Sequence, residues 1–96
     1  IVLDAIVAVG EEKVQPVLAV FPNPTSNNTT IRVELPIVED IEVSLVSVLG
    51  NTLRHYPKQK TSLLVEEIQI ASLPAGIYYL QFVIGGELFQ KALVVI

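Results

Sequence analysis

The chain of 96 residues contains no cysteine, no tryptophan, no methionine and only one histidine. Without cysteine it has no disulfide bond, no thiolate metal site and no cysteine nucleophile, although this absence does not identify a compartment. The formal net charge of −4 leaves no basic face for phosphate groups and argues against a nucleic-acid partner. Three tyrosines and three phenylalanines, scattered along the chain, are too few for an aromatic sugar-binding platform.

Long uninterrupted apolar runs are also missing. The longest uncharged run, residues 68–86, is broken by Pro74, Gly76 and Gln81, so we expect no insertion into a membrane. Residues 1–9 are apolar, but they include Asp4 and lack a basic flank, which is unlike a signal peptide. Because the chain does not begin with methionine, we interpret it as a piece of a longer protein.

The residues that enzymes need are not arranged for catalysis. His55 lies in the polar stretch RHYPK, which we interpret as an exposed, turn-like segment. The serines lie outside any G-x-S-x-G motif, and no phosphate-binding glycine motif occurs. The acidic residues Glu39, Asp40 and Glu42 lack the spacing of a calcium loop and suit a charged strand entry better. We therefore predict no enzymatic activity, no metal and no cofactor.

What the chain has in abundance is valine, isoleucine and leucine at every second position, a pattern typical of strands. In TTIRVEL, for example, Ile31, Val33 and Leu35 point to one face, and the charged residues between them point to the other. No convincing helix pattern is present. The candidate strands are residues 2–9, 17–21, 29–35, 40–49, 63–70, 76–84 and 87–96.

Turn signals separate these runs. Pro22 and Pro24 cannot donate to a ladder, and Pro36 is predicted to end the strand before it. The two glycines at residues 85–86 predict a two-residue hairpin. In such a hairpin Leu80 would face Lys91, which requires either that Lys91 lies at the sheet edge or that a bulge shifts the register.

About seven short strands at turn spacings of about 8–12 residues predict an all-β fold, an immunoglobulin-like antiparallel β-sandwich. We assign residues 17–96 to this single domain, and residues 1–16 to an N-terminal linker and first-strand region. Residues 1–9 are too apolar for a pure linker, so we expect them to pair as a strand. The partner strand is in the same molecule or in a neighbouring molecule, and the second case would give a strand-mediated dimer.

The order of these turn signals and strands along the chain carries a family resemblance. The stretch FPNPT at residues 21–25 is followed by VSLVSVLGN at 43–51, SLPAGIYYLQF at 72–82 and FQKALVV at 89–95. Over residues 17–96 this order resembles the C-terminal sorting domain of cargo proteins of the type IX secretion system of Gram-negative bacteria. The chain departs from the family pattern at three positions, where it has Ser47 in place of an aspartate, Asn51 in place of a basic residue and Ala92 in place of a lysine.

The resemblance implies a function in sorting. Domains of this family look like seven-stranded sandwiches that direct a preceding cargo domain, after export to the periplasm, through an outer-membrane translocon. A sortase-like peptidase then removes the domain, and the cargo reaches the cell surface or the medium. The polar residues 10–15 would be the accessible place for that cleavage. The residues that we expect to form the recognition surface are Pro22, Asn23, Pro24, Gly50, Gly76, Lys91, Leu93, Val94 and Val95.

Each of these residues also has a purely structural interpretation. The proline corner would then only shape the chain, Gly50 and Gly76 would only permit a positive φ, and Lys91 would be a solvated charge that protects a sheet edge. An alternative function remains as well. The same alternation would serve an immunoglobulin-like or fibronectin-like accessory module, such as a spacer, adhesion or carbohydrate-binding domain of an extracellular protein.

Overall fold

The computed structural model describes residues 15–96, which form five β-strands. Alternating branched residues favour extended backbone in each of them, and loops rich in glycine, proline and small polar residues separate them. The strands are β1 (Val17–Phe21), β2 (Asn28–Val46), β3 (Thr52–Gln69), β4 (Gly76–Ile84) and β5 (Glu87–Val95).

All five strands belong to one antiparallel sheet that is built around β2. Strand β2 pairs with β1, β3 and β4, and β5 pairs with β4. The order along the main path is β1-β2-β4-β5, with β3 attached to β2. Strand β5 is therefore an edge strand, a position that matters for the site.

The two long strands curl the sheet into two layers. The register between β2 and β3 shifts between Glu34 and Glu39. Arg54, near the start of β3, donates a hydrogen bond to the carbonyl oxygen of Gln69 at its end. A straight strand would separate these two residues by roughly 50 Å, so the β2–β3 pair must fold back on itself. The first layer contains β1 with residues 28–34 and 63–69, and the second layer contains β4 and β5 with residues 39–46 and 52–61.

The core lies between these layers. Phe82, Leu80 and Leu93 of the second layer are completely buried, and Val33 of the first layer packs in the same cluster. Burying apolar side chains of this size is the main favourable term for folding. The buried hydrophobic cluster comprises Ile31, Val33, Ile41, Val43, Leu45, Leu64, Ile68, Ile70, Tyr78, Leu80, Phe82, Ile84, Leu93 and Val95.

The prediction of an all-β antiparallel fold is confirmed, but the described strands number five and not about seven. The candidate strands at residues 29–35 and 40–49 are one strand, β2, which continues through Pro36. Pro36 does not interrupt it because it lies in the register shift, where the missing N–H leaves no ladder partner unpaired. The first candidate strand, residues 2–9, lies outside the described residues.

Strand β3 begins earlier than the sequence pattern predicted. His55 and the stretch around it were expected in a turn, but they belong to the first half of β3, which pairs with β2. Pro57 falls in a second irregularity, where the register shifts between Ile41 and Val43. A proline is tolerated there for the same reason as Pro36. His55 is exposed, as expected.

The hairpin between β4 and β5 has the two-residue loop that its glycines predicted. Ile84 pairs with Glu87, and both loop glycines have positive φ, 56° for Gly85 and 85° for Gly86, as the turn that suits a twisted hairpin requires. No bulge follows, and Leu80 faces Lys91. Lys91 is exposed because β5 lies at the sheet edge, which was the first of the two expected solutions.

Within residues 15–96 no helix has the length and apolar character needed to cross a bilayer.

Truncation of Phe82 tests the two-layer packing. The side chain is completely buried between the layers, so Phe82→Ala should lower the free energy of unfolding by about 3–5 kcal/mol. Val83, the next residue, points to the other side of the sheet and is 37% exposed, and Val83→Ala should cost only about 0.5 kcal/mol. Urea unfolding of the 96-residue chain measures both values. Equal losses in the two variants would contradict the assignment of faces.

Candidate recognition site

The segment between β1 and β2 crosses from the first layer to the edge strand β5. Both peptide bonds that precede its prolines, Phe21-Pro22 and Asn23-Pro24, are cis. The Asn23 side chain donates from Nδ2 to the carbonyl oxygen of Ala92 at 2.8 Å, and its Oδ1 accepts from the backbone N–H of Val94 at 2.9 Å. The proline corner and the end of β5, which lie far apart in the sequence, are thereby brought together.

Two further bonds continue this attachment. The N–H of Thr25 donates to the carbonyl oxygen of Val94 at 3.0 Å, and the N–H of Ile96 donates to the carbonyl oxygen of Thr25 at 2.9 Å. Thr25 and Val95 form an isolated parallel bridge. We call residues 22–25 the strap. The strap acts as a short additional strand on the outer edge of β5, in which an asparagine side chain takes the place of one peptide unit.

An asparagine amide suits this position because it carries the same donor and acceptor pair as a backbone peptide. The flanking residues Pro22 and Pro24 have no N–H of their own and cannot donate to β5. The side-chain amide of Asn23 therefore adds a donor and an acceptor in a segment where the two prolines have no N–H.

Two buried threonines hold the strap against the first layer. Thr29 is completely buried, and its Oγ1 donates to the carbonyl oxygen of Pro22 at 2.8 Å. Thr25 is also buried, and its Oγ1 donates to the carbonyl oxygen of Asn28. Buried hydroxyls are costly unless they are bonded, so these bonds specify the path of the segment.

Gly76 lies beside the end of β5. It is the first residue of β4 and pairs with Val95. The turn before it is held by the hydroxyl of the buried Tyr78, which donates to the carbonyl oxygen of Pro74 at 2.5 Å. The strap, Gly76 and the last residues of β5 therefore share one end of the molecule.

Gly50 lies in the turn between β2 and β3. Its φ is 91°, and its N–H donates to the carbonyl oxygen of Ser47 at 2.9 Å. Ser47 and Asn51 close the turn with two more bonds, one between backbone groups at 2.9 Å and one from the Asn51 N–H to the serine Oγ at 3.2 Å. The turn follows Val46, which pairs with Tyr79 of β4, so Gly50 lies towards the same end as Gly76.

The four predicted residues of β5 differ in what a partner can reach. The side chains of Leu93 and Val95 are buried in the core, and Val94 is half-buried on the outer face. Lys91 is exposed. A partner that meets the folded domain can therefore contact the side chains of Lys91 and Val94, whereas Leu93 and Val95 can take part only through the backbone.

The sequence pattern did not reveal three contributors to this end of the molecule. Thr25 was singled out only as part of the stretch FPNPT and Thr29 only as part of a candidate strand, yet they position the strap. Arg54 ties the start of β3 to its end through the carbonyl oxygen of Gln69, and to the turn before β4 through Ser72 Oγ at 3.3 Å. An asparagine between two prolines was a visible signal for a side-chain bond, but nothing in the sequence indicated its partner on β5.

The polar groups of this end are suited to binding and bring no nucleophile and base together. The single histidine is elsewhere, on the outer face of the second layer, where His55 Nε2 lies 2.5 Å from Glu42 Oε2. Residues 15–96 contain no group of three or more side chains that could hold a metal ion.

Comparison with known protein families gives a match over most of the chain. The model of a family described as "Secretion system C-terminal sorting domain" matches residues 19–96. A search of curated proteins gives no match.

Removal of the asparagine amide tests the strap. Asn23→Ala loses both bonds to β5, so it should lower the free energy of unfolding by about 1–2 kcal/mol. The Val94 amide should exchange with solvent about tenfold faster, because its acceptor is gone. Hydrogen exchange followed by NMR measures this effect.

The matched control for that measurement is Asn27→Ala, which removes an exposed asparagine side chain that bonds nothing within residues 15–96. This variant should leave exchange at Val94 unchanged. Unchanged exchange at Val94 in Asn23→Ala would contradict the strap.

Proposed function

Because the chain belongs to the family of secretion system C-terminal sorting domains, whose model matches residues 19–96, we propose that the secretion machinery recognises one end of the molecule. That end is formed by the strap, the Gly50 and Gly76 turns and the end of β5. Domains of this family are C-terminal sorting signals for type IX secretion, so this domain serves in export to the cell surface or the medium. It is not an enzyme family, and the alternative of an accessory module is not favoured.

The observation that supports the recognition surface is the attachment of the proline corner to β5. The resemblance rests on four separate stretches of sequence, and two of them, residues 21–25 and 89–95, are hydrogen-bonded to each other. A third stretch supplies Gly76, which pairs with Val95. A surface assembled from distant segments exists only in the folded domain, so the machinery would recognise a folded label rather than a linear peptide.

The finer steps of the route are part of the same proposal. The cargo would precede this domain in the full-length protein and cross the periplasm before it meets the outer-membrane translocon. A sortase-like peptidase would then cut within residues 1–16, where residues 10–15 are the most polar part. Residues 17–96 would be the sorting domain proper.

An export assay tests the sorting function. Residues 1–96 are fused behind a fluorescent protein directed to the periplasm, in a host with a working type IX system. The reporter should appear on the cell surface or in the medium, and it should stay in the periplasm of a host that lacks the translocon. A fusion with an unrelated β-sandwich of similar size is the control and should remain inside in both hosts. An intact, folded fusion retained in the periplasm of both hosts would contradict the proposal.

A further inference from the structure

The outer edge of β5 has an occupied half and an open half. The backbone groups of Ala92, Val94 and Ile96 point away from β4 and bond to the strap. Because the backbone groups of successive strand residues point to alternate sides, the N–H and C=O groups of Leu88 and Gln90 also point away from β4. Within residues 15–96, however, β5 pairs only with β4 and, through the single bridge at Val95, with Thr25. We call residues 88–91 the open edge.

The side chains of the open edge are accessible as well. Leu88 is 59% exposed, and Gln90 and Lys91 are exposed. On the outer face the amide of Gln90 accepts a hydrogen bond from Gln81 of β4, at 3.2 Å, in addition to the backbone ladder that holds this stretch of β5 in the sheet. Within residues 15–96 the open edge is therefore an ordered extended strand whose outward backbone groups have no partner, the arrangement that accepts an added strand.

Lys91 gives the open edge a charge preference. Its side chain lies on the core-facing side of β5, opposite the buried Leu80, and it reaches solvent only because β5 is at the edge. Within residues 15–96 its ammonium group forms no salt bridge. A strand added here would place a side chain beside Lys91 at a non-hydrogen-bonded position, where Cβ atoms approach to about 4.5–5.5 Å. A carboxylate at that place would pair with the ammonium group.

We propose that the open edge binds an extended segment of the secretion machinery by strand addition, with an acidic side chain beside Lys91 and an apolar side chain beside Leu88. This inference rests on the proposed function and extends the recognition surface from the end of β5 to the neighbouring half of the same strand edge. The strap supplies the internal precedent, since the other half of the same edge already binds extended chain through backbone and amide groups. The bound segment would extend, along the same edge of β5, the row of hydrogen bonds that the strap begins.

Two substitutions in the export fusion test the open edge. In Gln90→Pro the outward N–H is lost and a ring blocks the edge, whereas the ladder with β4 is kept, because prolines are tolerated on edge strands where the N–H faces solvent. In Lys91→Glu the charge that would meet the acidic side chain is reversed. Each variant should lower the surface signal about tenfold, the change expected from the loss of one or two hydrogen bonds or of one ion pair.

The controls separate recognition from folding and from overall charge. Lys91→Arg should keep export near the wild-type level. Lys60→Glu makes the same charge change at an exposed position of β3, in the second layer but away from β5, and should leave export unchanged. Thermal unfolding of each purified chain identifies variants that do not fold. If Gln90→Pro unfolds, Lys91→Glu still decides the outcome.

Photo-cross-linking identifies the occupant. A photoreactive amino acid in place of Leu88 should cross-link to a subunit of the translocon, and the same probe in place of Leu63, an exposed residue of the first layer, should not. Cross-links from position 88 only to a second copy of this chain would overturn the proposal. Wild-type export in both Gln90→Pro and Lys91→Glu would also overturn it, while the sorting function would stand. Failure of the wild-type fusion itself would instead contradict the sorting function.

Discussion

The four hydrogen bonds between the strap and the outer edge of β5 are the constraint on which the arrangement of this domain depends. They attach the loop that leaves the first layer to the last strand of the second layer, and so they close the curled sheet at one end. Asn23 makes two of them with its side-chain amide, which carries both a donor and an acceptor and lies between two prolines that have no N–H. Arg54 ties the two ends of β3 together at the same end of the molecule. The residues that were expected to form the recognition surface, apart from Lys91, lie at or near this closure.

Much of the fold could be predicted from the sequence because its signals are local. The alternation of apolar residues identifies the faces of β2 and β4, and two adjacent glycines identify the tight hairpin and with it the pairing of Leu80 with Lys91. The joining of two predicted strands into β2 could not be predicted in this way. Pro36 is a strand terminator in most contexts, and only the register shift beside it, which is a property of the pairing with β3, makes it harmless.

The candidate site, too, could be predicted only in part from local sequence signals. The residues of the proline corner and of β5 could be selected from the sequence, but their contact could not, because a hydrogen bond across 69 or 71 residues leaves no local pattern. The alternation of residues in FQKALVV likewise does not show which of these side chains solvent or a partner can reach. The structure shows that Leu93 and Val95 belong to the core, and that Lys91, on the same side of the strand, reaches solvent. For a domain whose function is to be recognised, that difference decides which groups a partner can touch.

The central claim is that the machinery recognises a surface which exists only when the strap is attached to β5. The most direct measurement is surface delivery of the fusion carrying Asn23→Ala, at a temperature where its circular dichroism spectrum matches that of the wild type. The claim predicts clearly reduced delivery for this folded variant and wild-type delivery for the matched Asn27→Ala. Equal delivery of wild type, Asn23→Ala and Asn27→Ala would contradict it, because a sorting signal that ignores the strap would be read elsewhere on the domain.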